Sequence, residues 1–284
     1  MKPTVIGIGA QKCASSWVHT VMGSHPEISV STPKEIDFFS YYFDRGYAWY
    51  ERHFEDCGSS HHAYEASPSY LYDPRAPERV ATYFPELKIV ALLRDPVERA
   101  YSNHLHEVIK GHIGPVDFET GLRNNPGYLD QGRYGAHLAR WFAAFPRDQV
   151  LVLFAEEISA DAEAAISRLY RFVGVDDAFR SPIHHERRNE SDRARVPLLR
   201  NALRAGGDFL RANGLEAHLA RAKAMGPVSR LMRANSVDIR CEIPPMKAET
   251  RALLRDFFAA DAAHLSTLLG RSDLPWTSLH EAAA

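Results

Sequence analysis

The feature that most constrains this chain is an uninterrupted apolar run, Ile89 to Leu93, that ends on Arg94-Asp95-Pro96. Five consecutive apolar residues leave no polar face for water, so a strand there must be covered on both sides, as in a parallel sheet between helices. Asp95 and Pro96 read as the N-cap and first residue of a helix that runs to about Ile109. The same grammar recurs along the chain. "TVIGIG" (Thr4 to Gly9) is a strand, "GAQKCASS" a turn, and Trp17, Val18, Val21 and Met22 form one face of a helix. "QVLVLFAEE" is a second buried strand, preceded by a helix from about Tyr134 to Phe145 and followed by one from about Asp161 to Val173. Shorter strands are expected at Ile28 to Val30 and Ala63 to Ala66, with helices at Tyr47 to Phe54, Pro74 to Phe84 and Lys247 to Leu269. In the last of these Leu253, Leu254, Phe257, Phe258 and Leu265 are the apolar positions. Strands alternating with helices predict an α/β fold, a central parallel sheet flanked by helices. A length of 284 residues suits one such domain spanning 1–284.

Charge separates function classes less than it first promises. The 34 Lys+Arg nearly balance 36 Asp+Glu, a formal charge of −2, which argues against a nucleic-acid partner held by bulk basicity. The balance is not uniform. Arg187 to Arg233 holds ten Arg and one Lys against four acids, a local charge of +7, and leaves −9 elsewhere. This stretch, within a variable basic helical segment at 187–245, reads as a solvated helical face, a lid over an anionic ligand or a dimer surface. Oligomeric state is not readable from it. Cys13, Cys57 and Cys241 are odd in number and far apart, with no metal-ligand spacing. That usage fits a reducing compartment. With no signal-peptide pattern and no apolar run long enough for a membrane span, the expected location is cytoplasmic.

Two segments carry chemistry. In Gly7 to Trp17 a buried strand turns through small residues into a helix that opens on Ser15 and Ser16. The unpaired N–H groups of such a helix start, with the positive end of its dipole, suit a phosphate or sulfate. Lys12 adds a full positive charge. Cys13 follows the lysine where a Walker A loop has Ser or Thr, so a magnesium-binding hydroxyl is missing and no metal is required by the pattern. In "IVALLRDPVERAYSNH", Arg94 sits at the carboxyl end of a buried strand, where open α/β sheets bind ligands, and its planar fork suits a phosphate. Ser102 follows two helical turns later. Alone, Arg94 equally suits a surface ion pair with Asp95 or Glu98.

In this order the two segments resemble the sulfotransferases that use 3′-phosphoadenosine 5′-phosphosulfate, in their bacterial and heparan-sulfate-type branch. That family's 5′-phosphosulfate motif is close to G-x-x-K-x-G-T/S-T/S, and here Gly9, Lys12, Ser15 and Ser16 match it. Its 3′-phosphate motif resembles "LLRDPVERAYS", with Arg94 and Ser102 in the matching places. "SHPEI", "PKEIDFFS", "YEASPSYLY", "RYGAHLARWFAAFPRDQVLVLFAEEI" and "PMKAETRALLRDFF" are similar to further family segments in family order. The resemblance covers most of Met1 to Phe172 and about Pro244 to Trp276.

The resemblance implies a P-loop-like fold and sulfo transfer to a hydroxyl or amine of a small-molecule, lipid-like or carbohydrate acceptor. Donor-binding residues carried over are Gln11, Lys12, Cys13, Ala14, Ser15, Ser16, Trp17, Arg94, Ser102 and Arg188, the last from a loosely matching "ERRNES". Lys12 and Glu35 are the catalytic pair: Lys12 steadies the leaving phosphate and Glu35 is the base. A carboxylate serves as base only where burial lifts its pKa. The other reading of Glu35 is a surface partner of Lys34, and His104 and His106 are rival bases. Glu65 is expected to position Lys12 or the acceptor. Three departures stand out: Ala14 for the usual glycine, Asp37 for a histidine, and Ala66 for the lysine of glycosaminoglycan enzymes, which weighs against a polyanionic acceptor. Two alternatives remain at this point, a P-loop-type nucleotide kinase and a non-catalytic nucleotide-binding protein on the same fold.

Overall fold

A computed structural model describes residues 2–57, 61–185, 192–194, 236–238 and 243–280. Five strands form one parallel sheet: β1 (Val5–Gly9), β2 (Ile28–Val30), β3 (His62–Ala66), β4 (Lys88–Leu93) and β5 (Val150–Phe154). Their order is β2-β3-β1-β4-β5, with β1 central. Ile6 faces Glu65 on one side and Ile89 on the other, and Val90 pairs with Leu151. Val5, Ile6, Ile8 and Ile89 to Leu93 are all buried, as apolar strands covered on both faces must be. Each fully buried aliphatic side chain of this kind stabilises the fold by roughly 1.5–3 kcal/mol.

Helices cover the sheet. They are α1 (Ser15–Ser24), α2 (Tyr47–Glu51), α3 (Ala76–Tyr83), α4 (Pro96–Lys110), α5 (Phe118–Asn124), α6 (Gly127–Asp130), α7 (Tyr134–Ala144), α8 (Ala155–Ala160), α9 (Ala162–Val173), α10 (Ala248–Leu269) and α11 (Thr277–His280). The aromatic helix expected through Phe54 stops at Glu51 and continues as a tighter 3₁₀ turn over Arg52–Cys57. On α10 only one stripe is buried: Leu254, Phe258, Ala262 and Leu265, at helical spacing. Leu253 and Phe257 were expected among the apolar contacts but face outward, 70% and 47% exposed. Of the cationic stretch, only Asp192–Ala194 falls within the described residues. It forms a strand, β6, antiparallel to β7 (Ser236–Asp238). The rest of 187–233, Arg188 included, lies outside them.

Two contacts set the shape of the site. Asp95 is the N-cap of α4 as expected: its Oδ1 accepts from the N–H groups of Val97 (3.0 Å) and Glu98 (3.3 Å). The same carboxylate accepts from the Ser278 hydroxyl (2.7 Å) and amide (3.1 Å), so it also pins α11. At the end of β1 the chain turns at Gly9, with φ +109°. A Cβ there would stand 2.6 Å from the Pro68 carbonyl oxygen, so only glycine fits the conformation and the space. The turn after β3 is stitched to this strand end, Ser67 N–H to Gly7 C=O (3.0 Å) and Leu71 N–H to Ile8 C=O (2.8 Å).

Candidate active site

Strand order reverses about β1, and the carboxyl end of such a strand is where open α/β sheets form a ligand crevice. The loop at that end, residues 10–14, leads directly into α1. Lys12 (φ +68°) and Ala14 (φ +67°) both take left-handed backbone conformations. Ala14 is the N-cap of α1 and offers no side-chain acceptor, and the first turn carries no acidic residue. The opening N–H groups of α1 therefore lack the usual capping partner, which suits them to an anion. Cys13, by contrast, points inward. It is wholly buried, 3.8 Å from the Tyr134 hydroxyl, and burial pushes its thiol up to about 11. Trp17 donates its indole N–H to the His184 carbonyl (2.9 Å), which ties α1 to the turn at Pro182–His185.

The second wall comes from β4 and α4. Arg94 does not pair with Asp95 or Glu98. Asp95 is engaged by the α4 amides and Ser278, and Glu98 by Arg251 at 2.5 Å. Arg94 instead reaches across the crevice, its Nη1 3.5 Å from the Lys12 carbonyl oxygen. Ser102 and His106 are four residues apart and so share one face of α4. His106 Nδ1 stands 3.5 Å from Lys12 Nζ, which turns that face, with Ser102, toward the loop. The rival base His104 is elsewhere. It is buried, its Nε2 within 2.9 Å of the Val116 carbonyl, and burial lowers its pKa. That is a packing histidine.

The third wall is the loop after β2. Lys34 Nζ lies 3.4 Å from Ser15 Oγ, 3.3 Å from Ser16 Oγ and 2.7 Å from Glu35 Oε1. Lys34 thus joins Lys12 and Arg94 around the start of α1, a role the sequence reading left out although the "KE" pair was in view. Glu35 is not buried: its side chain is 46% exposed. Both readings of it meet here, because its partner Lys34 itself sits on the helix start. A half-buried carboxyl, Asp37, and a buried one, Glu65, lie behind it. Burial raises the Asp37 pKa, opposed by a hydrogen bond from Ser69 (2.5 Å). Glu65, wholly buried, is pushed up to about 8 by the same cause. Lys12, Ser15, Ser16, Lys34 and Glu35 are thus gathered with Arg94 and the Ser102 face of α4 around one helix start. Three cationic groups, two hydroxyls and the first backbone amides of α1, which Ala14 does not cap, can hold a doubly anionic group there, with a carboxylate at its edge.

Comparison with known proteins bears on what that group is. A family model described as "Sulfotransferase domain" matches residues 2–194. Bifunctional heparan sulfate N-deacetylase/N-sulfotransferase 4 of Mus musculus is 28% identical over 197 residues, 61% of this chain and 22% of that protein. Bifunctional heparan sulfate N-deacetylase/N-sulfotransferase 2 of Homo sapiens is 26% identical over 304 aligned residues, 96% of this chain and 30% of that protein. The chain therefore spans less than a third of the length of these relatives. The solved sulfotransferase from Alicyclobacillus acidocaldarius has the same fold, with a TM-score of 0.71 at 23% identity, covering 96% of this chain and 98% of that one. Among the described residues, no helix is long and apolar enough to cross a membrane.

Proposed function

The chain belongs to the sulfotransferase family, whose model matches more than half of its length, and from that premise we propose the reaction it performs. It moves a sulfo group from 3′-phosphoadenosine 5′-phosphosulfate to a hydroxyl or amine of a small-molecule, lipid-like or carbohydrate acceptor. The observation that carries this reading is the convergence of Lys12, Lys34 and Arg94 on the uncapped start of α1. The donor supplies an activated sulfur bound to a phosphate leaving group. The protein must hold that sulfur in line with the acceptor and offset the charge that builds on the phosphate. Lys12, the α1 amides and the Ser15 and Ser16 hydroxyls face the 5′-phosphate side. Arg94 and Ser102, joined on sequence grounds by Arg188, take the 3′-phosphate, which ATP lacks. Gln11, Cys13, Ala14 and Trp17 shape the loop rather than donate charge.

Glu35 accepts the acceptor proton: a bound acceptor covers its 46% exposed side chain and so supplies the burial that a carboxylate base requires. As the new S–O or S–N bond forms, the bond to the bridging phosphate oxygen breaks and adenosine 3′,5′-bisphosphate leaves. The salt bridge from Lys34 (2.7 Å) holds the carboxylate toward the helix start. A nucleotide kinase is disfavoured by a specific observation: the residue after Lys12 is the buried Cys13, which presents no hydroxyl to a magnesium ion. Ala66, buried beside Gly7, supplies no cation to the acceptor side, which favours an acceptor without dense negative charge. On sequence grounds alone the cationic stretch 187–233 keeps its three readings, a solvated face, a lid over an anionic ligand or a dimer surface.

The test is thermal shift with adenosine 3′,5′-bisphosphate against ATP plus magnesium, followed by an acceptor screen read by mass spectrometry for an added sulfo group. Stabilisation by the bisphosphate is expected, and stabilisation by ATP alone overturns the proposal. Lys12→Ala should lower turnover by about 10²–10³, as removal of one oxyanion donor does. Glu35→Gln should abolish transfer with bisphosphate binding retained, and full activity in that variant removes Glu35 as the base.

A further inference from the structure

Beneath the loop that carries Lys34 and Glu35 lies a buried acid that the reaction above does not use. Glu65 is in β3, and neighbours along a strand face opposite ways. Tyr64 and Ala66 crowd against Gly7, so Glu65 points to the other face, among Tyr50 and Tyr70. It is wholly buried. Its partners are neutral donors: the Ser67 hydroxyl on Oε1, the Tyr50 hydroxyl on Oε2 (3.4 Å), the Tyr70 hydroxyl and the Ile36 backbone.

Two of those hydroxyls are relays. Ser67 Oγ accepts the Asp37 N–H (2.8 Å) and Tyr70 Oη accepts the Phe38 N–H (2.9 Å). A hydroxyl that accepts from the loop needs its own proton taken elsewhere: Glu65 takes that of Ser67, and the Tyr70 hydroxyl lies against both Glu65 and Ser67. Ile36, Asp37 and Phe38, the three residues after Glu35, are therefore all attached to Glu65 directly or through one hydroxyl. The loop needs such an anchor. Glu35 (φ +66°) and Asp37 (φ +54°) are non-glycine residues in left-handed conformations, each costing roughly 1–2 kcal/mol. The surroundings must hold them there.

We propose that Glu65 is a positioning residue for sulfo transfer: through Ser67 and Tyr70 it fixes residues 36–38 and so fixes where Lys34 and Glu35 meet the start of α1. This rests on the reaction proposed above. The titratable groups facing Glu65 are Asp37 from the loop, Tyr50 from α2 and Tyr70 from the turn after β3; Tyr64, its strand neighbour, feels its charge from the opposite face. Lys34 and Glu35 act on Asp37 in turn. None of the groups facing Glu65 brings a full positive charge, so ionising Glu65 in alkaline solution places a second negative charge behind Asp37.

The experiment compares Glu65→Ala, Glu65→Gln, Ser67→Ala and Tyr70→Phe in the full chain. Glu65→Ala should lower kcat by about 10²-fold, the cost of misplacing a catalytic group by about 1 Å. The KM for the donor should rise less than kcat falls, since of the three cations only Lys34 is displaced while the α1 amides, Lys12 and Arg94 lie on other elements. Glu65→Gln should recover most of the loss and lack whatever change in kcat the parent protein shows as Glu65 ionises near pH 8. A second readout is independent of turnover: tryptic cleavage after Lys34 should be about tenfold faster in Glu65→Ala and faster in both relay variants, because it follows local opening. Unchanged cleavage and kcat in these variants overturns the proposal, whatever the acceptor. If Glu65→Ala does not fold, Ser67→Ala and Tyr70→Phe decide the question on the same two readouts. If the parent protein transfers no sulfo group while cleavage still rises, the proposed reaction fails and the positioning role stands.

Discussion

Asp95 offers the sharpest quantitative test of how the donor side is held. It is 3% exposed and accepts four hydrogen bonds, two from the α4 amides of Val97 and Glu98 and two from Ser278. Replacing it with alanine removes an N-cap, worth typically about 1 kcal/mol. It also strands the Ser278 amide and hydroxyl, and a buried group left without its partner costs about 1–3 kcal/mol. The hydroxyl can rotate to a new partner and the amide cannot, so the sum for Asp95→Ala is about 3 kcal/mol. Ser278→Ala loses a single bond, about 1 kcal/mol. The two sites share that bond, so the double variant should fall short of additivity by about 1 kcal/mol. Urea unfolding followed by circular dichroism, extrapolated linearly to water for all four proteins, measures each quantity. Asp95→Ala should in addition weaken adenosine 3′,5′-bisphosphate binding more than Ser278→Ala, because the start of α4 sets the Arg94 backbone. A loss below about 1 kcal/mol for Asp95→Ala, or strict additivity, would refute the assignment of Asp95 as the shared clamp of α4 and α11.

Three further outcomes follow from particular residues. Ala14→Val should destabilise the fold by more than about 1 kcal/mol in the same urea assay, because a β-branched residue fits φ +67° poorly, whereas Ala14→Gly should be neutral or stabilising. Cys13 should resist maleimide in the folded protein at pH 8, since burial pushes its thiol up to about 11; peptide mapping after a timed reaction checks this. Glu65 holds its proton to about pH 8 in the folded chain, against an ordinary carboxyl value of 4.5 in the unfolded one. The folded state then binds the extra proton between those values, so this group makes stability fall as pH rises from about 4.5 to about 8. Urea midpoints across that range should decline less in Glu65→Gln than in the parent protein.

Much of the sheet was legible because burial writes itself into strands. An apolar run such as Ile89–Leu93 has one structural meaning, and Asp95-Pro96 marks a helix start by local chemistry alone. The grouping of Lys12, Ser15, Ser16 and Arg94 at the start of α1 followed, since they belong to elements fixed by that pattern. What escaped is what depends on direction in space. Glu35 carried two readings, a base and a surface partner of Lys34; its side chain is 46% exposed while Asp37, two residues on, is half-buried, and nothing in "KEIDFF" says which carboxyl turns inward. Leu253 and Phe257 are apolar, but the stripe that α10 buries runs through Leu254 and Phe258, one residue on. The reach of Lys34 to Ser15 and Ser16 spans two loops that only the β2-β3-β1 order brings together.

The contact between Gly9 and Pro68 has a consequence for changing what this protein acts on. The loop that starts the anion site and the turn that supports Glu35 from below meet there with no side chain between them, backbone against backbone. Substitutions in the stretch from Ser67 to Tyr70 will press on the loop at residues 10–14 as well, so on the proposed function selectivity gained there will be lost in donor affinity. Libraries aimed at new acceptors should leave Gly9 and its neighbouring turn untouched.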